Sequence, residues 1–309
     1  MKPVYIFYLL VFPGLIFTGI LGLTAGWLDR KVSARFQYRV GPPFFQNFND
    51  FFKLLGKETL IVKDSIHSLF ILSPFIAFGT LVIVSSIVGT ALFFNESFGG
   101  DLIVVIYLLM IYSVTVILGG ASTGNIYSSL GAGREIKLLL ADELAFILSC
   151  LVPVIKSGYS LQFNSILEAQ NLNGAFIGSV SGAISFITGL LCIQAKMALP
   201  PFNIPEAETE IVDGPFIEYS GPLLAFWRLN NLMLYVTLPF LLIILFLGGF
   251  HPEGPGIIYA VLKYFLIVIL MIIVKNVNPR IRIDTAINFF WRYAALLGFI
   301  AVALAIFKL

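Results

Sequence analysis

The sequence predicts an all-α integral membrane protein: a bundle of about eight transmembrane helices with an amphipathic helix lying at one membrane surface. Three observations lead there. Hydrophobic residues make up 59% of the 309-residue chain, charged residues 12%, and mean hydropathy is +0.96, far outside the range of soluble domains. Apolar runs of about 20 residues recur along the whole length. Lys and Arg gather in alternate connections between those runs, as expected of a chain whose loops face two different compartments.

The first run, 4–28, is longer than the about 7–15 residues of a signal-peptide core and reads as a permanent span. The others lie at 67–94, 101–121, 136–155, 174–199, 222–249, 256–275 and 287–307. An even count puts both termini on one side. The odd-numbered connections hold thirteen of the nineteen basic residues: seven in 29–66, then Arg134 and Lys137, Lys196, and Lys275, Arg280 and Arg282. Only Lys2, Lys156 and Lys308 fall in the even connections and tails, while Arg228, Lys263 and Arg292 sit inside spans. The positive-inside rule therefore places the odd loops in the cytoplasm and both termini outside a prokaryotic cell membrane. No linker or repeat divides residues 1–309, so a single transmembrane domain is expected.

Composition also removes functions. A net charge of +2 gives no footing for nucleic acid. Two isolated cysteines, Cys150 and Cys192, are too few for an iron–sulfur cluster and read as small buried hydrophobes, and His67 and His251 fall at opposite ends of the membrane. No metal site and no redox cofactor is expected in this chain; any redox centres belong to partners.

The most informative segment is Pro201 to Gly221, where Glu206, Glu208, Glu210, Asp213 and Glu218 place five carboxylates between two spans. Glu206, Glu210 and Asp213 recur at i, i+4 and i+7, so a helix would gather them on one face. Like charges at that spacing repel by about 0.2–0.5 kcal/mol per pair in water, and protonation, a cation or a basic partner must compensate. Glu206 and Glu210, one helical turn apart, are the pair expected to share a proton, with the Tyr219 hydroxyl beside Glu218.

Three further constellations carry charge. Lys31, Arg35 and Arg39 are spaced by four in the first loop beside Arg30, and the Gly41-Pro42-Pro43 turn leads into the amphipathic stretch Phe44 to Glu58. That loop serves either as a topogenic anchor with an interfacial helix or as a docking face. Arg134-Glu135 precedes Asp142-Glu143, and the second pair lies inside a span, where one carboxylate costs about 2.5–3.5 kcal/mol. Asp142 has a structural alternative, pairing with Arg134 or Lys137. Glu143 is the stronger ion-pathway candidate. Asn278 to Asp284, with Arg280, Arg282 and Asp284, reads alone as a solvated connector.

These motifs together resemble the NADH dehydrogenase subunit 1 (NuoH) family, and within it the branch found in energy-converting NiFe hydrogenases and related membrane-bound reductases. The similarity rests on DRKVSARFQYRVGPP; the D-x-x-K-L-x-x-K-E pattern with Asp50, Lys53, Lys57 and Glu58; GREIKLLLADE; PFNIPEAETEIVDGPFIEYSG; RIRID; and Trp291. The resemblance implies a non-catalytic anchoring and ion-coupling subunit. Its carboxylates would link electron transfer in peripheral NiFe and iron–sulfur subunits to H⁺ or Na⁺ movement through antiporter-like neighbours. Respiratory members extend the first loop further and carry a glutamate about where Asn231 stands here, which sets this chain nearer the hydrogenase branch. The alternative reading is a quinone-chamber subunit of a respiratory NADH dehydrogenase, and behind it a freestanding ion transporter.

Overall fold

The computed structural model describes residues 3–250 and 256–307 and is helical throughout its regular structure. Lys2, His251 and Lys308 lie outside the described residues. Two helices, α1 (Pro3–Leu10) and α2 (Leu15–Phe36), together make the first long apolar segment, Val4–Phe36, with a break where Pro13 cannot donate a backbone bond. The short helix α3 (Gln46–Leu55) follows, apolar on one side as expected of an interfacial element.

The spans α4 (His67–Phe94) and α5 (Asp101–Ala121) fall on the boundaries that hydropathy sets. The next, α6 (Ile126–Lys156), begins ten residues before the expected span at 136, so Arg134, Glu135, Asp142 and Glu143 share one helix. Its start is fixed by Asn125, whose Oδ1 accepts from the Tyr127 N–H at 2.8 Å, a cap the hydropathy pattern does not register. A further helix, α7 (Phe163–Asn173), lies in the connection between the fourth and fifth expected spans. The fifth expected span, 174–199, is the shorter α8 (Val180–Lys196), capped by Ser179 Oγ accepting from Gly182 N–H at 3.1 Å.

Beyond the single turn α9 (Glu208–Ile211) come the long spans α10 (Gly221–Phe246) and α11 (Gly256–Val277). The last span runs Ile283–Ile306 as α12 (Ile283–Asn288), a π-helical turn (Phe289–Ala294) and α13 (Ala295–Ile306). Seven helices among the described residues are long and apolar enough to cross a membrane, and the 17-residue α8 is the shorter apolar helix in the position of the eighth.

The helix α10 forms the axis of the bundle. Its residues Met233 to Phe246 are almost entirely buried, packed by α2, α4, α8 and α11, whereas α11 and α13 turn many apolar side chains outward. Close approach is made possible where α2 presents Gly22: a Cβ there would stand 2.6 Å from the Leu232 carbonyl oxygen. Lys263, inside α11, donates from Nζ to the Leu247 and Gly249 carbonyls at 2.6 and 2.9 Å, which satisfies the frayed end of α10.

Candidate functional site

The acidic segment is not one helix. Prolines at 200, 201, 205 and 215 remove backbone donors throughout it, and its regular structure is confined to one α-helical turn, Glu208–Ile211, and one 3-10 turn, Gly214–Phe216. At Val212 (φ 65°, ψ −72°) the chain makes a γ-turn closed by Asp213 N–H to Ile211 C=O at 3.0 Å, a strained geometry for a β-branched residue. The expected single acidic face is therefore corrected. The turn sends Glu210 outward and Asp213 inward, and Glu206 and Glu210 do not form a pair.

The turn that follows, Gly214–Phe216, rests on two glycines of the bundle. A Cβ at Gly131 of α6 would stand 2.7 Å from Pro215 Cδ, and one at Gly120 of α5 would stand 3.0 Å from Pro215 Cβ. Gly214 itself needs its positive φ of 53°. Ser128 Oγ adds a bond to the Pro215 carbonyl at 3.2 Å. These contacts seat the acidic loop against α5 and α6.

Beneath the loop lies a cavity of about 240 Å³. Glu206, Glu208 and Asp213 line it from the loop, Arg228 and Asn231 from α10, Arg30 from α2 and Asp50 from α3. Arg30 and Asp50 pair at 3.2 Å across its rim. Burial, followed by the negative charges of Asp213, Glu135 and Glu208, pushes the Glu206 carboxyl up to about 8, with Arg228 opposing. Burial also raises Asp213, again opposed by Arg228. A carboxyl whose pKa is raised in this way and which faces a cavity is a candidate functional group.

From Glu206 the polar groups continue into the bundle. Asn231 Nδ2 donates to Glu206 Oε1 at 3.4 Å, and Tyr112 OH donates to Asn231 Oδ1 at 2.5 Å. The buried Glu135 on α6 is close enough to feel the charges of both Glu206 and Asp142. Asp142 and Glu143 then meet Lys196 of α8, whose Nζ stands 3.3 Å from Asp142 Oδ2 and 2.7 Å from Glu143 Oε2, over the Phe146 ring at 4.7 Å. The expected partners of Asp142, Arg134 and Lys137, are thereby replaced by Lys196. Glu135, Asp142, Glu143 and Lys196 thus lie together in one low-dielectric region, where each buried charge depends on the others for compensation.

The remaining charged residues serve other ends. Glu210 is clasped by Arg134 at 2.6 Å and Arg280 at 3.3 Å, so the connector 278–284 holds the acidic loop and is not merely solvated. That pairing, led by the Arg134 hydrogen bond, keeps the Glu210 carboxyl below its ordinary value. Glu218 accepts from Asn125 Nδ2, whereas Tyr219 points away from it. The Tyr219 ring stacks on Phe70 at 4.3 Å, and its hydroxyl, pushed up to about 12 by burial, lies among Trp227, Ser122 and Ser73.

In the first loop Lys31 Nζ reaches the Gly41 carbonyl at 3.5 Å, but Arg39 lies beyond the end of α2, so Lys31, Arg35 and Arg39 do not form one helical face. Arg35, Arg39, Lys53, Lys57, Glu58, Arg282 and Asp284 are exposed. Sequence alone assigns no role to Glu135 or Asn231 in a continuous network and counts Lys196 only as a loop charge. The spacing Glu135 to Asp142, seven residues on one helix face, is the signal that points to the network.

Comparison with known proteins gives the family and the fold. Residues 8–306 match the family model described as NADH dehydrogenase. The H subunit of NADH-quinone oxidoreductase from Bacillus thuringiensis (strain Al Hakam) is 34% identical over 294 residues, covering 90% of this chain and 87% of the relative. Its counterpart in Anoxybacillus flavithermus (strain DSM 21510 / WK1) is 33% identical over 297 residues, covering 92% and 86%. Among solved structures, a chain of the membrane-bound sulfane sulfur reductase, an archaeal respiratory membrane complex, superposes with a TM-score of 0.88 at 25% identity, over 98% of this chain and 99% of that one. The chain belongs to the NADH dehydrogenase subunit 1 (NuoH) family of multi-pass membrane proteins.

Proposed function

We propose that the chain is the non-catalytic anchoring and ion-coupling subunit of a complex I-related, membrane-bound hydrogenase or sulfur-reductase complex. Peripheral subunits carrying iron–sulfur clusters and a NiFe-type centre would transfer electrons close to the acidic loop. The resulting change of charge shifts the protonation of Glu206, and the shift passes through Glu135 to the Asp142, Glu143 and Lys196 cluster. Antiporter-like neighbours then move H⁺ or Na⁺. The observation that carries this reading is the succession of buried ionisable groups from the cavity to α8, in which Glu206 is coupled by charge to Glu135, Glu135 to Asp142, and Asp142 and Glu143 are paired with Lys196. The similarity to a membrane-bound sulfane sulfur reductase chain supports the reductase branch. The basic loops face the cytoplasm in this reading, and so does the cavity.

A second reading, a quinone-chamber subunit of NADH dehydrogenase, is favoured by the 34% identity to a chain of NADH-quinone oxidoreductase. Inverted vesicles separate the two. Ion uptake driven by a ferredoxin-type donor, unaffected by added ubiquinone analogues and lost in Glu206→Gln, supports the first. Quinone-dependent turnover overturns it in favour of the second.

A further inference from the structure

A second cavity, of about 470 Å³, opens on the other side of α2, between α2, α10 and α11. Phe17, Leu21, Thr24 and Leu28 form its α2 wall, a stripe at helical spacing. Phe240 backs it from α10, and Ile257, Val261 and Phe265 of α11 flank it, exposed to the surroundings of the bundle. Three polar side chains border the space, and each has its hydrogen bond elsewhere. Thr24 Oγ1 donates to the Leu21 carbonyl at 2.8 Å, Trp27 Nε1 to the Pro42 carbonyl at 3.2 Å and Tyr264 OH to the Tyr235 carbonyl at 3.2 Å. A ligand ring with carbonyl or hydroxyl groups would lose its hydration there and gain no partner. A saturated hydrocarbon chain loses nothing.

The dimensions suit such a chain. Phe17 to Leu28 spans roughly 16 Å of helix, about half of a ~30 Å hydrocarbon core, which is the depth of one leaflet. At the surface end the cleft is bordered by Trp27, edge-on to Phe44 at 5.0 Å, with α3 beyond it. The α2 stripe continues one step further to Lys31, whose Nζ is held only loosely by the Gly41 carbonyl at 3.5 Å. Asp29 is not available to neutralise it, being engaged by Lys275 at 2.7 Å and by Tyr235 OH at 3.2 Å. An apolar stripe one leaflet long that ends in an ammonium matches one amphiphile.

We propose that this cleft binds one bilayer phospholipid, its acyl chain along Phe17, Leu21 and Phe265 and its phosphate at Lys31. The chain seals the gap that α2 and α11 leave above the Asp29–Lys275 pair. The site is separate from the acidic cavity and needs no assumption about what the complex reduces.

The test uses the complex purified in mild detergent and counts retained phospholipid by mass spectrometry. Ala260→Phe should fill the cleft and remove one phospholipid per chain relative to wild type, and Lys31→Glu should lose the same lipid by repelling its phosphate. In nanodiscs of phosphatidylglycerol with brominated chains, Trp27 should be quenched in a Trp291→Phe background, since Trp227 is buried, and unbrominated lipid should restore the signal only slowly. In Lys31→Glu the signal should recover as fast as bulk lipid exchanges. Equal lipid retention in wild type and both variants, or Trp27 recovery at the bulk rate in wild type, overturns the proposal. So does an isoprenoid quinone, or a helix of a neighbouring subunit, found in the cleft.

Discussion

Lys196 Nζ lies 2.7 Å from Glu143 Oε2, joining α8 to α6 inside the apolar thickness of the bundle. The same ammonium serves Asp142 at 3.3 Å, so the pair is the centre of a triad and its members are not equivalent. Removing one acid leaves the ammonium a partner, whereas removing the base leaves two carboxylates in a low-dielectric site.

Glu143→Gln should therefore fold and assemble while weakening coupling, because the amide keeps the volume and removes a titratable group. Lys196→Met should destabilise the chain by about 3–5 kcal/mol, the usual effect of breaking a buried pair from one side. Thermal unfolding of the detergent-solubilised complex measures the second, and the ratio of ion uptake to electron flux measures the first. A Lys196→Met chain as stable as wild type would show the triad to be solvated.

Glu210→Gln should loosen the acidic loop without altering the buried groups. Its pairs with Arg134 and Arg280 are partly exposed, and such pairs contribute about 0–1 kcal/mol each. Because the folded carboxyl is depressed, its stabilisation is complete above the ordinary carboxylate range and disappears only as pH falls through the depressed value. Hydrogen exchange in 201–221 should thus rise in the mutant at neutral pH, and in wild type only under acid conditions. Unchanged exchange in the mutant at pH 7 would remove Arg134 and Arg280 from the account.

Gly131→Ala probes the seat of the loop. The added methyl would meet Pro215 Cδ, Pro215 N and Gly214 Cα at 2.7–2.9 Å, all parts of a turn with little room to move. Coupled turnover should fall while helix content by circular dichroism stays constant. Retained turnover would mean that the Pro215 turn can shift without consequence.

The spans were legible because hydropathy alone sets them: 67–94 and 101–121 appear in the structure at the same residues. The start of α6 was not, since Asn125 caps a polar first turn that carries no hydropathy signal. Within the acidic loop the residue types were legible and their geometry was not. Helical spacing suggested one face, but Pro205, the γ-turn at Val212 and Gly214 divide the carboxylates among a cavity, an arginine clasp and an asparagine. Lys196 escaped notice because a lysine at the end of a span reads as a topology signal. Only the tertiary fold brings it beside residues some fifty positions earlier.

Arg35 and Arg39 remain exposed in the structure. Reversing both to Glu should release the peripheral subunits from membranes, since the loop 29–66 carries seven basic residues on one surface. The difference between mutant and wild type should shrink as salt is added, because exposed charges are screened over about 8–10 Å at ordinary ionic strength. Wild-type retention of the soluble subunits in the double mutant would leave these arginines as topology determinants alone.

Glu206 provides the test that reaches furthest into the mechanism. Its folded pKa of about 8 lies above the ordinary 4.5, so between those values the folded chain holds a proton that the unfolded chain has released. Stability from this group is therefore greatest in acid, declines as pH rises from the ordinary value to about 8, and is constant beyond. Glu206→Gln abolishes that decline and should make the chain relatively more stable at pH 7 than at pH 4 when compared with wild type. It should also remove a protonated-carboxyl band from infrared spectra, one that in wild type titrates near pH 8 and shifts between oxidised and reduced complex. Asp213→Asn should move the same band to lower pH, because Asp213 is the strongest of the charges that raise Glu206. A wild-type spectrum with no protonated carboxyl at neutral pH, or a band untouched by either mutation, would detach Glu206 from the proton-handling role.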